Sequence, residues 1–201
     1  MDAPALFAYL AALAAVYLLP GPDMALVVAT AGSRGARPAL VTAAGIALSR
    51  AMHVALSGMG LAALLQARPE MLGAVKLIGA AYLLWVAVQL LRSDPAGAPS
   101  APSAVPAASF LRRGFLTNLL NPKALLFCSL FLPQFVHAEA GPLALQYLVL
   151  GAVLVLMGLA FDIAFALSAA RLGRRMRRSS RFGKFVLPGV FVLLAGRLLA
   201  S

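Results

Sequence analysis

Apolar residues run along this chain in six long blocks, at roughly residues 3–31, 38–66, 70–92, 114–136, 142–170 and 185–200, with arginine, lysine, proline and serine gathered between them. At 1.5 Å per residue, about 20 apolar residues cover the ~30 Å hydrocarbon core of a bilayer, so each block predicts a membrane-spanning helix. Two blocks are interrupted: Pro20-Gly21-Pro22-Asp23 cuts the first and Asn121-Pro122-Lys123 the fourth. Proline removes a backbone donor and clashes with the preceding turn, so both spans are expected to be broken helices. Freed peptide groups and charges at bilayer depth are tolerated only against protein or a water-filled cavity.

Residues 94–109, rich in proline, alanine, serine and glycine, read as a flexible cytoplasmic linker. It parts a first three-helix repeat (1–93) from a second (110–201) within one membrane domain. Three crossings is an odd number, so the second repeat enters the membrane upside down. The predicted fold is therefore an all-α integral membrane protein of six transmembrane helices, two inverted three-helix repeats with broken first and fourth helices. Paired landmarks agree. His53 and Asp162 follow their prolines at offsets that differ by about ten residues, and so do Gly79 and Gly189, as one insertion near 135–142 would produce. Broken segments at corresponding places mark a transporter built from repeats. One mismatch stands out: Pro122 lies closer to the basic pair Arg112 and Arg113 than strict inversion wants. Either 105–113 dips into the membrane with its arginines reaching out, or the symmetry is approximate. The last block is short and carries Pro188-Gly189.

Composition confirms the class, since 62% hydrophobic and 11% charged residues are incompatible with a soluble domain of 201 residues. The net charge of +11 does not point to nucleic acid, because the basic residues sit between apolar blocks rather than on a polar surface. Of 17 lysines and arginines, twelve fall on one side: Arg34 and Arg37; Arg92, Arg112 and Arg113; and Arg171, Arg174, Arg175, Arg177, Arg178, Arg181 and Lys184. Arg68, Lys76 and Arg197 fall on the other, so the positive-inside rule puts both termini outside the cytoplasm. The cluster at 171–184 reads as a topological anchor beside anionic lipid head groups. Without a basic leader or cleavage site, the first block is expected to be retained. Cys128 is the single cysteine and His53 and His137 the two histidines, so no metal, cofactor or enzyme constellation is expected. A channel would need a longer polar stripe than these blocks supply.

Of six acids, only Asp23 and Asp162 lie within apolar blocks. Gly45, Ser49, His53 and Ser57 recur every fourth position, as do Gly158, Asp162, Ala166 and Ala170, so each set shares a helix face. Small residues at that spacing let helices approach closely, but packing does not account for His53 or Asp162. An acid at mid-bilayer costs about 2.5 to 3.5 kcal/mol, and such carboxylates are typical proton carriers. Asp23 and Lys123 each follow a proline and could pair, as a latch or as part of an ion site or gate. Arg50 requires an anion, with Asp162, Asp23 or a substrate carboxylate as candidates. Asn118 and Asn121, three apart, share a face as neutral hydrogen-bonding groups.

These residues together resemble the lysine exporter (LysE/RhtB) family of bacterial amino-acid efflux proteins. The resemblance rests on Pro20-Gly21-Pro22-Asp23, Gly35-Ala36-Arg37, Gly45, Gly60-Leu61-Ala62 and Gly79-Ala80-Ala81-Tyr82-Leu83 in the first half. In the second it rests on Arg113-Gly114-Phe115 through Asn118, Asn121-Pro122-Lys123 and Leu132-Pro133-Gln134-Phe135. It implies export of amino acids or similar small metabolites across the bacterial inner membrane, driven by the proton-motive force, with homodimers among the family's traits. Ala39, Ser49 and Ala87 stand where glycine is expected, and Arg50 where a cation is unusual, which leaves the cargo open. A cation beside the site favours a neutral or acidic solute over lysine. The expected substrate-binding set is Pro20, Gly21, Pro22, Asp23, Asn118, Asn121, Pro122, Lys123 and Arg50. Amides after the two prolines would face a carboxylate and freed carbonyls an ammonium. The expected proton-coupling set is Asp162, His53 and Asp23. Alternatives on the same scaffold are an exporter of metal ions or another small solute, or a non-transporting membrane subunit.

Overall fold

A computed structural model of the chain describes residues 3–60, 64, 67, 68, 70–92, 105–176 and 182–200. Most of the expected linker, Leu61 and Ala62, positions 177–181 and the side chains of the basic cluster beyond Leu172 lie outside the described residues.

The protein is helical, with no strand among the described residues. Its helices are α1 (Ala3–Leu18), α2 (Pro22–Arg34), α3 (Ala36–Gly58), α4 (Glu70–Arg92), α5 (Ala107–Leu119), α6 (Pro122–Leu126), α7 (Leu143–Met176) and α8 (Phe182–Ala200). A π-helical turn (Phe127–Phe131) and a 3-10 turn (Leu132–Phe135) prolong α6. Among the described residues, three helices are long and apolar enough to cross a membrane, and counting each bent pair, α1/α2 and α5/α6, as one span raises the number to five. The described apolar part of α8, Pro188–Ala200, is shorter.

Both breaks form where proline demands them. Gly21 is extended (φ −158°) and Pro22 opens α2, turning the chain by 54° from α1. Asn121 caps the second break, its side chain accepting from the Lys123 amide, and Pro122 opens α6 at 58° to α5. The fourth span starts earlier than its apolar block suggests, because Ala107 to Arg113 continues the helix. Thirteen residues then precede the second break and sixteen the first, which removes most of the depth mismatch seen in the sequence.

α3 lies at the centre, packed against α5, α7 and α2, while α4 pairs with α8. The α3–α5 crossing is closest at two glycines. A Cβ on Gly45 would strike the Leu111 carbonyl, and one on Gly114 the Thr42 carbonyl, so neither position accepts a side chain without parting the helices. Three apolar clusters fill the interior. Leu26 and Ala29 meet Leu83, Val86 and Phe191; Tyr9 and Leu13 meet Cys128, Leu132 and Leu154; and Val27 meets Ala39, Ile46 and Ala166. Large apolar side chains such as Phe7, Leu77, Leu148, Leu156 and Leu193 face outward, as a lipid-facing surface requires. The chain is a multi-pass membrane protein.

Candidate functional site

The site follows from what the two breaks leave unpaired. Pro20 has no N–H to give the carbonyl of Val16 one helical turn earlier, and the chain turns away before Leu19 O can meet a helical donor. The Lys123 ammonium supplies both bonds, donating to Val16 O at 2.6 Å and Leu19 O at 2.9 Å. It thus sits at the carbonyl end of α1, where the helix dipole favours a cation. The anticipated pairing of Lys123 with Asp23 is not what forms, because the orphaned carbonyls of α1 take the ammonium first.

Asp23, in the first turn of α2, is instead held from α5 and from the second break. Asn118 Nδ2 donates to Asp23 Oδ2 at 2.7 Å and Asn121 Nδ2 to Oδ1 at 3.2 Å. Arg50 then joins the two acids. Its Nη1 donates to Asp162 Oδ2 at 2.6 Å, and its Nη2 lies 3.6 Å from Asp23 Oδ2. The Arg50 side chain is 4% exposed, Asp162 4% and Asp23 15%, so one cation bridges two carboxylates from two other helices away from solvent. The guanidinium lies 5.0 Å from the centre of the Tyr17 ring, and Tyr17 donates to Leu154 O at 2.7 Å. Gly158 makes room for this stack, since a Cβ there would come 2.6 Å from Arg50 Nη1 and 2.8 Å from Tyr17 Cζ.

The helix faces read from the sequence are buried as expected: Gly45, Ser49, His53 and Ser57 on α3, and Gly158, Asp162, Ala166 and Ala170 on α7. His53 belongs to a separate contact. Its Nε2 stands 3.2 Å from the carbonyl oxygen of Asn118, an acceptor, so the bond is made by the Nε2–H form. Asp162 bonds to Arg50 and not to His53. Among the described residues, His53 Nδ1, Ser49 Oγ and Asn118 Oδ1 are buried with no hydrogen-bond partner.

Asp23, Arg50, Asn121, Lys123 and Asp162 share a cavity of about 50 Å³ with Gly21, Tyr17 and an apolar wall that includes Met24, Phe127, Phe161 and Phe165. Pro20, Pro22 and Pro122 shape the breaks beside it, and Asn118 supports it from behind through Asp23. No side chain caps the start of α2 at Gly21, whereas the Lys123 amide on α6 is already bonded to Asn121 Oδ1 at 3.1 Å. Sequence reasoning missed Tyr17 and the phenylalanine wall. Tyr17 had a signal, a polar hydroxyl deep in an apolar block just ahead of a proline break. The phenylalanines had none.

The family described as LysE type translocator matches residues 14–201 of this chain. An uncharacterized membrane protein of Pseudomonas aeruginosa is 33% identical over 90% of this chain and 87% of its own. A leucine efflux protein of Enterobacter sp. is 30% identical, covering 91% and 89%. A homoserine/homoserine lactone efflux protein of Salmonella typhimurium is also 30% identical, covering 97% and 95%. No solved structure matches.

Proposed function

Because the chain belongs to the LysE type translocator family, we propose that it exports a neutral amino acid, or a related small metabolite, in exchange for protons at the Arg50–Asp162–Asp23 cluster. The observation that carries this reading is Arg50 bridging two intramembrane carboxylates at a cavity beside both helix breaks. A zwitterion fits that arrangement. Its carboxylate replaces Asp162 on Arg50, its ammonium takes the released Asp162 together with Asp23, and charge stays balanced. A proton arriving on Asp162 removes one of the ammonium's two counter-charges and weakens its hold on the cargo, so cargo and proton compete, as antiport requires. His53, bonded to Asn118, lies beside the polar atoms of Ser49 and Asn118 that a proton route would use. The apolar wall of Met24, Phe127, Phe161 and Phe165 suits a cargo with an uncharged side chain.

The packing supports two inverted repeats. α3 with α7 and α4 with α8 pair like elements of the two halves, and each broken span lies against the middle helix of the other half. Six spans with both termini on the periplasmic face of the inner membrane complete the proposal, since Arg34, Arg37, Arg112 and Arg113 then share the cytoplasmic side. Counterflow in proteoliposomes tests it, with leucine, homoserine, glutamate, lysine and divalent cations as cargo. Leucine or homoserine should exchange, and exchange should respond to an imposed pH gradient. Absence of counterflow for every amino acid tried overturns the reading.

A further inference from the structure

Lys123 is placed as a ligand rather than as a structural cation. Its ammonium is half-buried, lines the cavity, and rests on two carbonyls, Val16 O at 2.6 Å and Leu19 O at 2.9 Å, which Pro20 and the break leave without helical donors. The carbonyl end of a helix, carrying partial negative charge and two convergent acceptors, is a binding site for a primary ammonium group. A tethered one already occupies it. We propose that Lys123 is the specificity residue of this carrier: it fills a second cation subsite and thereby rejects amino acids with a basic side chain.

This inference rests on the export reading above and names one residue that sets its cargo. A zwitterion uses Arg50 and the two carboxylates and leaves Lys123 in place. A diamino acid brings a second ammonium, which would have to take the α1 carbonyls from Lys123 and leave that lysine unpaired in the cavity wall. With Lys123 present, an incoming second ammonium finds the two carbonyls taken by a tethered cation, with Arg50 lining the same cavity. With Lys123 shortened to alanine, the carbonyls of Val16 and Leu19 lose their donor, and the side chain of lysine or ornithine can supply the same two bonds. The space vacated adjoins the existing cavity, because Lys123 is part of its lining.

The test is the ratio of lysine to leucine counterflow in proteoliposomes of the parent protein and of Lys123→Ala, Lys123→Met and Lys123→Arg. The ratio should rise about tenfold in Lys123→Ala, the factor one charge-assisted hydrogen bond carries. It should rise less in Lys123→Met, whose side chain still fills the space, and stay at the parent value in Lys123→Arg. Purified Lys123→Ala in detergent should also gain thermal stability from lysine, which the parent should not, and this readout does not depend on transport. A parent that carries leucine, with Lys123→Ala and Lys123→Met both keeping the parent ratio, overturns the assignment and leaves the export reading standing. Lysine carried by the parent as readily as leucine overturns it too. A parent that carries no amino acid at all removes the export reading itself.

Discussion

Asp162→Asn is the substitution that separates coupling from folding. Asn keeps an oxygen that Arg50 Nη1, now 2.6 Å from Asp162 Oδ2, can still use, so shape and one hydrogen bond survive while the charge is lost. At an effective dielectric constant near 20, opposite charges at that distance attract by about 6 kcal/mol gross. Much of this only offsets the cost of burying the charges, and breaking a buried pair typically costs about 3 to 5 kcal/mol net. The loss should fall near the lower end, about 3 kcal/mol, because Asp23 still faces Arg50 Nη2 at 3.6 Å. The variant should therefore reach the membrane and show a lowered melting temperature in detergent. Its transport should change in kind: leucine counterflow at equal pH should persist at a reduced rate, while the extra efflux driven by a pH gradient should vanish. If a pH gradient accelerates efflux in Asp162→Asn as much as in the parent, Asp162 does not carry the coupling proton and the mechanism fails.

Four further outcomes rest on the same geometry. Gly45→Ala should lower stability by at least about 1 to 3 kcal/mol, since the added methyl meets the backbone of Leu111 and not a side chain that can turn away. Gly114→Ala strains the same crossing, so the double variant should melt well above the temperature that additive effects predict, which a thermal cycle in detergent measures. Asn118→Ala removes the 2.7 Å bond to Asp23 and should cost about 1.5 to 3 kcal/mol, with a rise in the cargo concentration needed for half-maximal counterflow. Tyr17→Phe loses only the bond to Leu154 O, about 1 kcal/mol, and keeps the ring beneath Arg50, so export should survive it, whereas Tyr17→Leu should slow export.

Much of the architecture was legible because hydrocarbon permits so few solutions. Long apolar blocks had to be helices, and prolines inside two of them had to break them, which is what Pro22 and Pro122 do. The start of the fourth span was not legible from hydropathy. Ala107 to Arg113 is too polar to read as a span, yet it favours helix and docks on α3 through Gly114. Within the site, the sequence offered Asp162, Asp23 or a substrate carboxylate as the anion for Arg50, and the structure places both acids against it. Matching opposite charges at equivalent positions offered Lys123 a possible pairing with Asp23 and left its two carbonyl bonds unread. The sequence held the better clue, since Pro20 stands one turn past Val16 and must orphan its carbonyl. The Asn118 and Asn121 bonds to Asp23 depend on how two broken helices meet in space, and no local pattern encodes that meeting.

The cavity volume connects the static site to a working cycle. About 50 Å³ holds a few water molecules, at ~10–15 Å³ of sphere volume each, whereas sites for small organic ligands run to several hundred Å³. The space at the site is thus smaller than cargo needs, and its charged groups pair with one another in place of cargo. On the proposed mechanism cargo parts Arg50 from Asp162 to enter, and only the difference between the new contacts and the 2.6 Å bond it replaces remains as affinity. Modest affinity follows from that exchange, and it suits a carrier whose task ends in release. With Lys123 beside the cluster, the unloaded site holds two cations and two carboxylates, so on this reading it can turn within the membrane with little net charge. The 54° and 58° bends lie where such a turn can be made, because at each break the helical ladder is already open and little further hydrogen bonding has to be given up.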